Sequence, residues 1–420
     1  MSRKNFFSVL SQEIDRIDKA KTSKRFEKII ATFTKEKSPK AIIGGKKYQV
    51  FNSNDYLGLR HSLSLKKAEH QASEIFGTGP GAVRFISGSL KVHRDLEKTL
   101  ALFHKKDDAM VFSSSFAANL AVLFCLIAGQ NKDSLIDSNV IVISDALNHR
   151  SIIDGIRVAN LPKEQRAVFR HMDPSHLKTI LETNKKIYKR ALVVTDGVFS
   201  MLGEYQKLKE IRVIIDKFDK EYENGVLLVV DDAHGVGIAG KTGRGVEEVE
   251  GVKADVLVGT FGKAFGADGG YVVANQMIID YLRESAATYI YSNSIPPGTA
   301  GAAFKAIELL DKPSGKKLLK NSKENVVYFK GQMKTAGYLF AADSSHPIQP
   351  VLIGDPVKTS ALVGKLFKKN IIVTNISYPV VPKGRDEIRV QISAVHTKKD
   401  IDQLVKAFEE EKVFVITTSS

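Results

Sequence analysis

The stretch Leu257-Val-Gly-Thr-Phe-Gly-Lys-Ala-Phe-Gly-Ala-Asp-Gly-Gly-Tyr271 places a single lysine among small residues and glycines, directly after an apolar run. The apolar run predicts a buried strand, and Lys263 lacks the polar neighbours of an ordinary surface lysine. Burial disfavours the ammonium form, so an enclosed lysine amine becomes a nucleophile, characteristically towards a carbonyl compound or pyridoxal phosphate. A solvated lysine in a glycine-rich turn is the alternative interpretation, and the rest of the chain must decide between the two.

Short apolar segments recur before this stretch, and segments with helical periodicity separate them. Strands that are apolar throughout are typical of a mostly parallel sheet covered by helices on both faces, so the pattern predicts a large α/β domain over residues 56–298. The predicted strands are Ala109–Phe112, Val140–Ser144, Arg166–Phe169, Ala191–Thr195, Val226–Asp231, Val256–Thr260 and Gly270–Val273.

Two smaller parts flank the predicted large domain. Residues 4–33 show helical periodicity and Gly44-Gly45 indicates a hairpin, so residues 1–55 are predicted to form an N-terminal helical arm and a hairpin. Residues 299–420 are predicted to form a smaller C-terminal α+β domain, whose last stretch, residues 405–420, suggests no function. Its predicted helices are Thr299–Leu310 and Lys320–Gly337, and its predicted strands are Gln349–Ile353, Ile371–Thr374 and Glu387–Ser393.

The composition narrows the class of protein. Of the 420 residues, 43% are hydrophobic and 26% charged, and no charge-free apolar run is long enough to cross a bilayer. The N-terminus lacks the pattern of a secretory signal and the single cysteine, Cys125, lies in an apolar run, which predicts a reducing, cytoplasmic location. The net charge of +15 is scattered and accompanied by no nucleic-acid-binding motif, so it predicts a solvated basic surface.

Polar residues collect where the predicted strands end. One strand is followed by Asp145-Ala-Leu-Asn-His149, the next by Asp196-Gly-Val-Phe-Ser200, a third by Asp231-Asp-Ala-His234, and a fourth by the segment that carries Lys263. Ligands of α/β proteins gather at the carboxyl ends of the strands. The sequence therefore predicts one site to which four strands contribute.

The residues at these ends suit a flat, charged cofactor, although each has an ordinary alternative. Asp231 follows a dry strand, and its carboxylate requires a cationic or donor partner such as a protonated pyridine nitrogen; a loop-entry aspartate is the alternative. His234 could bond a phenolate oxygen, and His149 at a helix start could stack on an aromatic ring or simply cap the helix. Ser113-Ser114-Ser115-Phe116 opens the predicted helix Ala117–Ala128, where free N–H groups suit a phosphate and serines also act as caps.

Two segments match known phosphate-binding motifs only in part. Gly235-Val-Gly-Ile-Ala-Gly240 has dinucleotide-binding spacing, but Lys241-Thr-Gly-Arg-Gly245 continues as a loop where a helix is required. Gly262-Lys263 lacks both the earlier glycine and the following Ser or Thr of a P-loop. Both interpretations are rejected.

Taken in order, these segments make nearly the whole chain resemble the α-oxoamine synthases, a family of pyridoxal-phosphate enzymes with the aspartate-aminotransferase fold. The resemblance implies an aspartate-aminotransferase-like large domain with a smaller C-terminal α+β domain. It is carried by Ser53-Asn-Asp-Tyr-Leu-Gly-Leu59, Gly77-Thr-Gly-Pro-Gly-Ala-Val-Arg-Phe-Ile-Ser-Gly88, Asp145-Ala-Leu-Asn-His149, Asp196-Gly-Val-Phe-Ser-Met201, Asp231-Asp-Ala-His234, Gly259-Thr-Phe-Gly-Lys263, Tyr291-Ser-Asn-Ser294 and Ile388-Arg-Val-Gln391.

The resemblance implies a role for each residue of the predicted site, with no metal. Lys263 would hold pyridoxal 5'-phosphate as an internal aldimine and later remove the α-proton of the amino acid. Asp231 would pair with the pyridinium, His234 with the phenolate oxygen, and His149 would stack on the ring. The remaining implied cofactor residues are Ser115, Phe116, Ser200 and Thr260, with Ser292, Asn293 and Ser294 reaching in from the partner subunit of a homodimer, and the implied substrate residues are Asn54, Arg389, His149 and Ser200.

Members of this family join an amino acid to an acyl-CoA. The segments Val83–Gly88 and Tyr291–Ser294 look most like the branch that condenses glycine with acetyl-CoA to 2-amino-3-oxobutanoate, the glycine C-acetyltransferases. Leu202, where that branch tends to have Asp, is similar to the serine palmitoyltransferase branch. The 8-amino-7-oxononanoate synthases, a serine palmitoyltransferase without a membrane segment, and an autoinducer-type synthase with a longer acyl-CoA therefore stay open.

Overall fold

The structure, a computed structural model, describes residues 3–20, 23–129, 133–378 and 381–411, so residues 412–420 of the C-terminal stretch lie outside the described residues. The strands are β1 (Thr32–Phe33), β2 (Ala41–Ile43), β3 (Lys46–Val50), β4 (Asp108–Phe112), β5 (Val140–Asp145), β6 (Arg166–Phe169), β7 (Arg190–Asp196), β8 (Val226–Asp231), β9 (Val256–Thr260), β10 (Gly270–Ala274), β11 (Ile348–Leu352), β12 (Ile371–Ile372), β13 (Thr374–Ile376) and β14 (Glu387–Gln391).

Helices fill most of the remaining described chain. They are α1 (Arg3–Lys19), α2 (Leu63–Phe76), α3 (Lys91–His104), α4 (Ser115–Ala128), α5 (Arg150–Val158), α6 (Pro174–Asn184), α7 (Leu208–Phe218), α8 (Val246–Glu250), α9 (Gln276–Ser285), α10 (Ala287–Ile290), α11 (Pro297–Leu310), α12 (Pro313–Thr335), α13 (Pro356–Lys368) and α14 (Lys398–Glu410). The helix predicted from Lys320 begins a full two turns earlier, because Pro313 with its fixed φ starts α12.

A seven-stranded sheet with the order β4-β10-β9-β8-β7-β5-β6 forms the centre of the molecule. Strands β6, β5, β7, β8 and β9 pair in parallel, and β10 runs antiparallel to both of its neighbours. Alternate residues of each strand face opposite layers: Val142 and Val194 pack with the helices of one layer, Ile143 and Val193 with those of the other. The predicted α/β fold with a mostly parallel sheet is confirmed.

The C-terminal part contains a three-stranded antiparallel sheet with the order β11-β14-β13. Ile388 and Val390 of β14 face the core that this sheet shares with α12, α13 and α14. Because side chains alternate along a strand, Glu387, Arg389 and Gln391 face the other side of the sheet. This side carries the contacts to the site described below.

The strand predicted over Ile371–Thr374 is divided between two sheets. Ile371 and Ile372 form β12, which pairs in parallel with β3, whereas Thr374 begins β13 opposite Arg389 of β14. The chain changes partners at Val373, so no single ladder can span the predicted segment. As a result, the N-terminal sheet β1-β2-β3-β12 joins the two ends of the chain.

The helical pattern predicted for residues 4–33 is wrong beyond Lys19. Residues 23–31 form no helix, and Thr32 and Phe33 pair with β2 instead. Phe26 and Ile29, which should have lined the buried face of such a helix, are both more than 70% exposed. Thr32 and Phe33 instead gain ladder hydrogen bonds with β2 at the edge of the hairpin, which a helix through these residues would lose.

Gly44 and Gly45 close the β2–β3 hairpin with φ values of 54° and 77°, as a two-residue turn of this hand requires.

Among the described residues, no helix is long and apolar enough to span a bilayer.

Candidate active site

Lys263 lies in the connection between β9 and β10, two antiparallel strands at the middle of the sheet. The Thr260 hydroxyl donates to Gly269 O at 2.9 Å, the Phe261 amide donates to the same oxygen at 3.0 Å, and the Gly266 amide donates to Lys263 O at 3.0 Å. The backbone around the lysine is therefore fixed. Burial lowers the pKa of the Lys263 amine, and the nearby carboxylates of Asp231 and Asp196 only partly oppose that effect.

Asp231 ends β8 in direct register with Asp196 at the end of β7. Its carboxylate accepts a hydrogen bond from the amide of Ala233 at 3.0 Å and another from Asn119 Nδ2 at 2.5 Å. Asp196 is also buried, and desolvation together with the charge of Asp231 raises the pKa of the Asp196 carboxyl well above its ordinary value. The Asp231 carboxylate is therefore the member of this pair that could accept from a cationic ligand.

A chain of polar side chains connects Asp231 to His149. Asn119 Nδ2 donates to both Asp231 and Ser151 Oγ, the latter at 2.9 Å, and Ser151 Oγ lies 2.7 Å from His149 Nδ1. His149 caps α5 and also takes the Ser151 amide at 3.2 Å, so its Nδ1 is an acceptor and its ring orientation is fixed. Asn119 and Ser151 were not among the predicted site residues, although a lone asparagine in the apolar helix Ala117–Ala128 is a signal that could have indicated the former.

His234 is held by two aromatic side chains. Its Nδ1 lies 2.7 Å from the Tyr56 hydroxyl, and His346 Nε2 donates to its main-chain oxygen at 2.8 Å. Burial lowers the pKa of His234 well below the ordinary range, and Lys263 and Arg389 add to that effect. The Tyr56 hydroxyl has one proton and two acceptors within reach, His234 Nδ1 at 2.7 Å and Asn54 Oδ1 at 3.3 Å. When it donates to Nδ1, the neutral imidazole carries its proton on Nε2 and offers an N–H to a ligand oxygen.

Arg389 of β14 contacts Asn54, which lies in the bend after β3. Asn54 Oδ1 accepts from Gln391 Nε2 at 2.5 Å and from Arg389 NH2 at 3.4 Å, and the Arg389 Nε–H is buried without a hydrogen-bond partner among the described residues. Arg389 acts electrostatically on both Lys263 and His234. A guanidinium with a free buried N–H next to a lysine suits a carboxylate ligand.

The N-terminus of α4 lies next to β10. Ser114 is the N-cap and its hydroxyl accepts from the Ala117 amide at 3.1 Å, which leaves the first-turn amides of Ser115 and Phe116 free for a ligand. Phe116 lies edge-on to His149 with 6.5 Å between ring centroids, and Thr260 Oγ1 takes the Gly262 amide at 3.2 Å.

Gly270 makes this close approach possible, and its substitution is expected to disturb it. A Cβ at Gly270 would lie 2.2 Å from the Ser115 nitrogen, a backbone atom that cannot move aside. We expect Gly270→Ala to destabilise the protein by roughly 2–3 kcal/mol in chemical denaturation, the range of a strongly overpacked site, and to weaken cofactor binding. Gly331→Ala is the matched control, since nothing lies within 4 Å of its Cβ on α12; it should stabilise the protein by about 0.5–1 kcal/mol. Equal effects of the two substitutions would contradict the prediction.

Among the described contacts, none joins four of the predicted residues to the groups above. Ser200 belongs to a turn after β7 that is closed by the Phe199 amide donating to Glu204 O at 2.9 Å. Ser292, Asn293 and Ser294 precede α11, and the hydroxyl of Ser294 is buried without a hydrogen-bond partner among the described residues. The prediction that these three act from a partner subunit stays a prediction.

The assembled side chains fit pyridoxal phosphate. Lys263, with its lowered pKa, suits the aldehyde, and the buried carboxylate of Asp231 has an acceptor position for the ring nitrogen. The neutral His234 suits the phenolate oxygen through Nε2–H. The free amides at the N-terminus of α4 suit the phosphate. No grouping of His, Cys, Asp and Glu side chains in the described part of the chain is arranged to hold a metal ion.

Comparisons with known proteins agree with this chemistry. Residues 46–408 match the family model described as aminotransferase class I and II. The 8-amino-7-oxononanoate synthase of Thermosipho melanesiensis is 37% identical over 96% of this chain and 97% of its own length, and the bovine mitochondrial 2-amino-3-ketobutyrate coenzyme A ligase is 37% identical over 96% of this chain and 91% of its own. A serine palmitoyltransferase solved with its pyridoxal phosphate internal aldimine superposes with a TM-score of 0.85, at 28% identity over 98% of both chains.

Proposed function

The chain belongs to the class I and II aminotransferase family and to its α-oxoamine synthase branch of pyridoxal-phosphate acyltransferases, and on this premise we propose that it condenses glycine with acetyl-CoA to 2-amino-3-oxobutanoate and CoA. The observation that carries the proposal is the convergence of Lys263, Asp231 and Arg389. A nucleophilic amine, a carboxylate for a protonated ring and a cationic anchor for a substrate carboxylate are what an amino-acid reaction of this class requires.

Pyridoxal phosphate, when bound, supplies an electron sink for the electron pair left on the α-carbon of the amino acid. Burial lowers the pKa of Lys263, which favours the unprotonated amine that would accept the α-proton. Asp231 would keep the ring nitrogen protonated, and the Asn119–Ser151 chain would hold His149 flat beside the ring. The three residues thus divide proton transfer, charge stabilisation and orientation between them.

Arg389 and Asn54 would bind the carboxylate of the amino acid. The guanidinium already contacts Asn54, and its buried Nε–H, which has no partner within the described part of the chain, offers the second donor of a two-point contact. Gln391 bonds the same Asn54 oxygen and fixes the amide so that its NH2 group can face the substrate. Ser200 would lie beside the acyl group. His234 would donate to the phenolate oxygen of the cofactor.

The phosphate would be held by the first-turn amides of α4, at Ser115 and Phe116, and by Thr260. We further propose a homodimer in which Ser292, Asn293 and Ser294 complete the phosphate site of the partner. Two observations support this assembly. The buried Ser294 hydroxyl has no hydrogen-bond partner among the described residues, and the apolar side chains of Phe85, Ile86 and Tyr291 are largely exposed.

A second candidate reaction is that of an 8-amino-7-oxononanoate synthase, since such an enzyme is as similar to this chain as the ketobutyrate ligase. The product names define the difference. A 2-amino-3-oxobutanoate contains glycine with its carboxylate and a two-carbon acyl group. An 8-amino-7-oxononanoate has its amine on the penultimate carbon, so it contains alanine without its carboxylate and a seven-carbon acyl group that ends in a carboxylate.

A matrix assay tests the proposal. We expect the purified protein to be yellow and to bleach with borohydride. When glycine, alanine and serine are each paired with acetyl-, pimeloyl- and palmitoyl-CoA, the release of free thiol should be fastest with glycine and acetyl-CoA. Preference for alanine with pimeloyl-CoA and release of CO2 would replace the acetyltransferase reaction by the second candidate. A colourless protein that takes up no pyridoxal phosphate would contradict both.

A further inference from the structure

His171 lies between two carboxylates outside the residues assigned above. Its Nδ1 is 2.9 Å from Asp145 Oδ1 and its Nε2 is 3.2 Å from Glu204 Oε2. A neutral imidazole has one N–H, so it can donate to only one of the two; an imidazolium donates to both. Burial opposes the charge, but the hydrogen bonds to Asp145 and Glu204 outweigh it and raise the pKa of His171 to about 9.

The two carboxylates belong to the two loops that carry His149 and Ser200. Asp145 ends β5, is fully buried, and accepts from the Leu147 amide at 2.9 Å and from Gln206 Nε2 at 3.2 Å as well as from His171. Glu204 closes the turn Phe199–Glu204, in which the Gly203 amide donates to Phe199 O at 2.9 Å. The imidazole of His171 is thus a direct connection between these loops.

Two further contacts fix His171 in this place. Its ring meets Phe199 edge-on with 4.4 Å between centroids. The next residue, Met172, has a φ of 52° and its amide donates to Asp145 Oδ2 at 3.0 Å. A left-handed backbone is uncommon for a residue other than glycine and persists only where surrounding contacts determine it. The turn is therefore held in one conformation by the same carboxylate that holds the imidazole.

We propose that His171 is a positioning residue that joins the turn Phe199–Glu204 to the loop Asp145–His149, so that the two loops keep a fixed position relative to each other. Its consequence for catalysis rests on the proposed function, whereas the connection between the two loops does not. His171 touches neither substrate nor cofactor in this role.

Other charged groups near this cluster determine its response to pH. Glu387 of β14 acts on Glu204, and burial raises the pKa of the Glu387 carboxyl to about 8. Arg385 and Arg389 also face Glu387, and Asp196 interacts with Asp145. Ionisation of Glu387 adds negative charge beside Glu204 and so favours the imidazolium. As the pH rises, His171 loses its proton near pH 9 and can then donate to only one of the two carboxylates, so the connection between the loops is lost.

The sign of the stability effect follows from the raised pKa. The folded protein binds the His171 proton more tightly than the unfolded chain, so the contribution to stability is fully present below about pH 6.5 and is lost as the pH rises through about 9. We expect the holoenzyme of His171→Gln to melt at a lower temperature than the unaltered protein at pH 6.5, with a difference that shrinks towards zero at about pH 10.

Local exchange and kinetics complete the test. In His171→Gln, hydrogen–deuterium exchange of residues 196–206 should be roughly tenfold faster, and kcat should fall about ten- to hundredfold with a smaller change in KM, the range for displaced positioning groups. His70→Gln is the matched control, because His70 also contacts a glutamate, at 3.1 Å, but is 75% exposed; it should change none of these quantities. Glu204→Gln should give the same faster exchange, and the double variant should add little to either single one.

The outcomes separate the two proposals. Exchange and melting unchanged in both His171→Gln and Glu204→Gln would overturn the connection, whatever the activity. Faster exchange with a shrinking melting difference, in a protein inactive towards every amino acid and acyl-CoA, would uphold the connection and reject the proposed reaction. If His171→Gln does not fold, Glu204→Gln alone decides, since Glu204 is partly exposed and the substitution preserves its size.

Discussion

Replacement of Lys263 by alanine is expected to lower kcat by at least ~10⁴-fold and to remove the borohydride-sensitive absorbance, because the variant loses both the nucleophile and the proton acceptor of the site. The surrounding backbone should stay as it is, since the bonds among Thr260, Phe261 and Gly269 do not involve the lysine side chain. Absorbance of the dialysed holoprotein, thiol release and the melting temperature measure these three expectations.

Lys305→Ala provides the control for the loss of a lysine as such. Lys305 lies on α11 and pairs with Glu308 at 2.9 Å, well removed in its contacts from the site, and its substitution should leave colour and turnover unchanged. A Lys263→Ala protein that kept a borohydride-sensitive absorbance would show that another lysine holds the cofactor. External amines should restore part of the lost proton transfer in Lys263→Ala, but not in a variant that is merely misfolded.

The central sheet was predictable because its strands are apolar on both faces and helices separate them. Such segments have few alternatives to a buried parallel sheet, so Val226–Asp231 and Val256–Thr260 match the structure to the residue. The meeting of Asp231, His149 and Lys263 followed from the same rule, since the carboxyl ends of neighbouring strands share one edge. The apolar residues of β10 would suit either direction, and its antiparallel pairing follows instead from the short connection between Thr260 and Gly270, which leaves no room for a parallel crossover.

What the sequence did not reveal depends on contacts between distant segments. Asn119 and Ser151 are separated by 32 positions and meet only because α4 and α5 pack on the same face of the sheet. His171 meets Glu204 across two elements, and Tyr56 meets His234 across 178 positions. Residues 23–31 failed for the opposite reason: their periodicity was real, but the described part of the chain offers their apolar side chains no surface to cover.

Asp231→Asn is the second substitution with a large expected effect, and it should act on the chemistry without harming the fold. Asparagine keeps the size of the side chain, but it cannot balance the charge of a protonated ring nitrogen, and the electron sink is then lost. We expect kcat to fall by about 10³-fold or more, equivalent to about 4 kcal/mol in the activation barrier. The dissociation constant of pyridoxal phosphate should rise as well, since one of its charged partners is gone.

The stability of the cofactor-free protein should change in the opposite direction. Asp231 lies beside the buried Asp196, whose pKa is raised by burial and by the Asp231 charge, and Asp232 is buried and also feels that charge. Removal of the Asp231 charge relieves this repulsion, so apo Asp231→Asn should melt above the apo form of the unaltered protein. Asp216→Asn, which removes an exposed partner of Arg212, should change neither activity nor cofactor affinity.

A residue retained only for structure would lower activity and stability together when substituted. A charge that serves the cofactor gives changes of opposite sign: its removal lowers the activity of the holoenzyme and raises the stability of the apo protein. The reason is that the buried charge destabilises the apo protein and is compensated only when the cofactor is bound. If apo Asp231→Asn instead melts lower while the holoenzyme retains most of its turnover, then Asp231 serves the fold through Asn119 and Ala233. Another group must then supply the negative charge that pairs with the pyridinium.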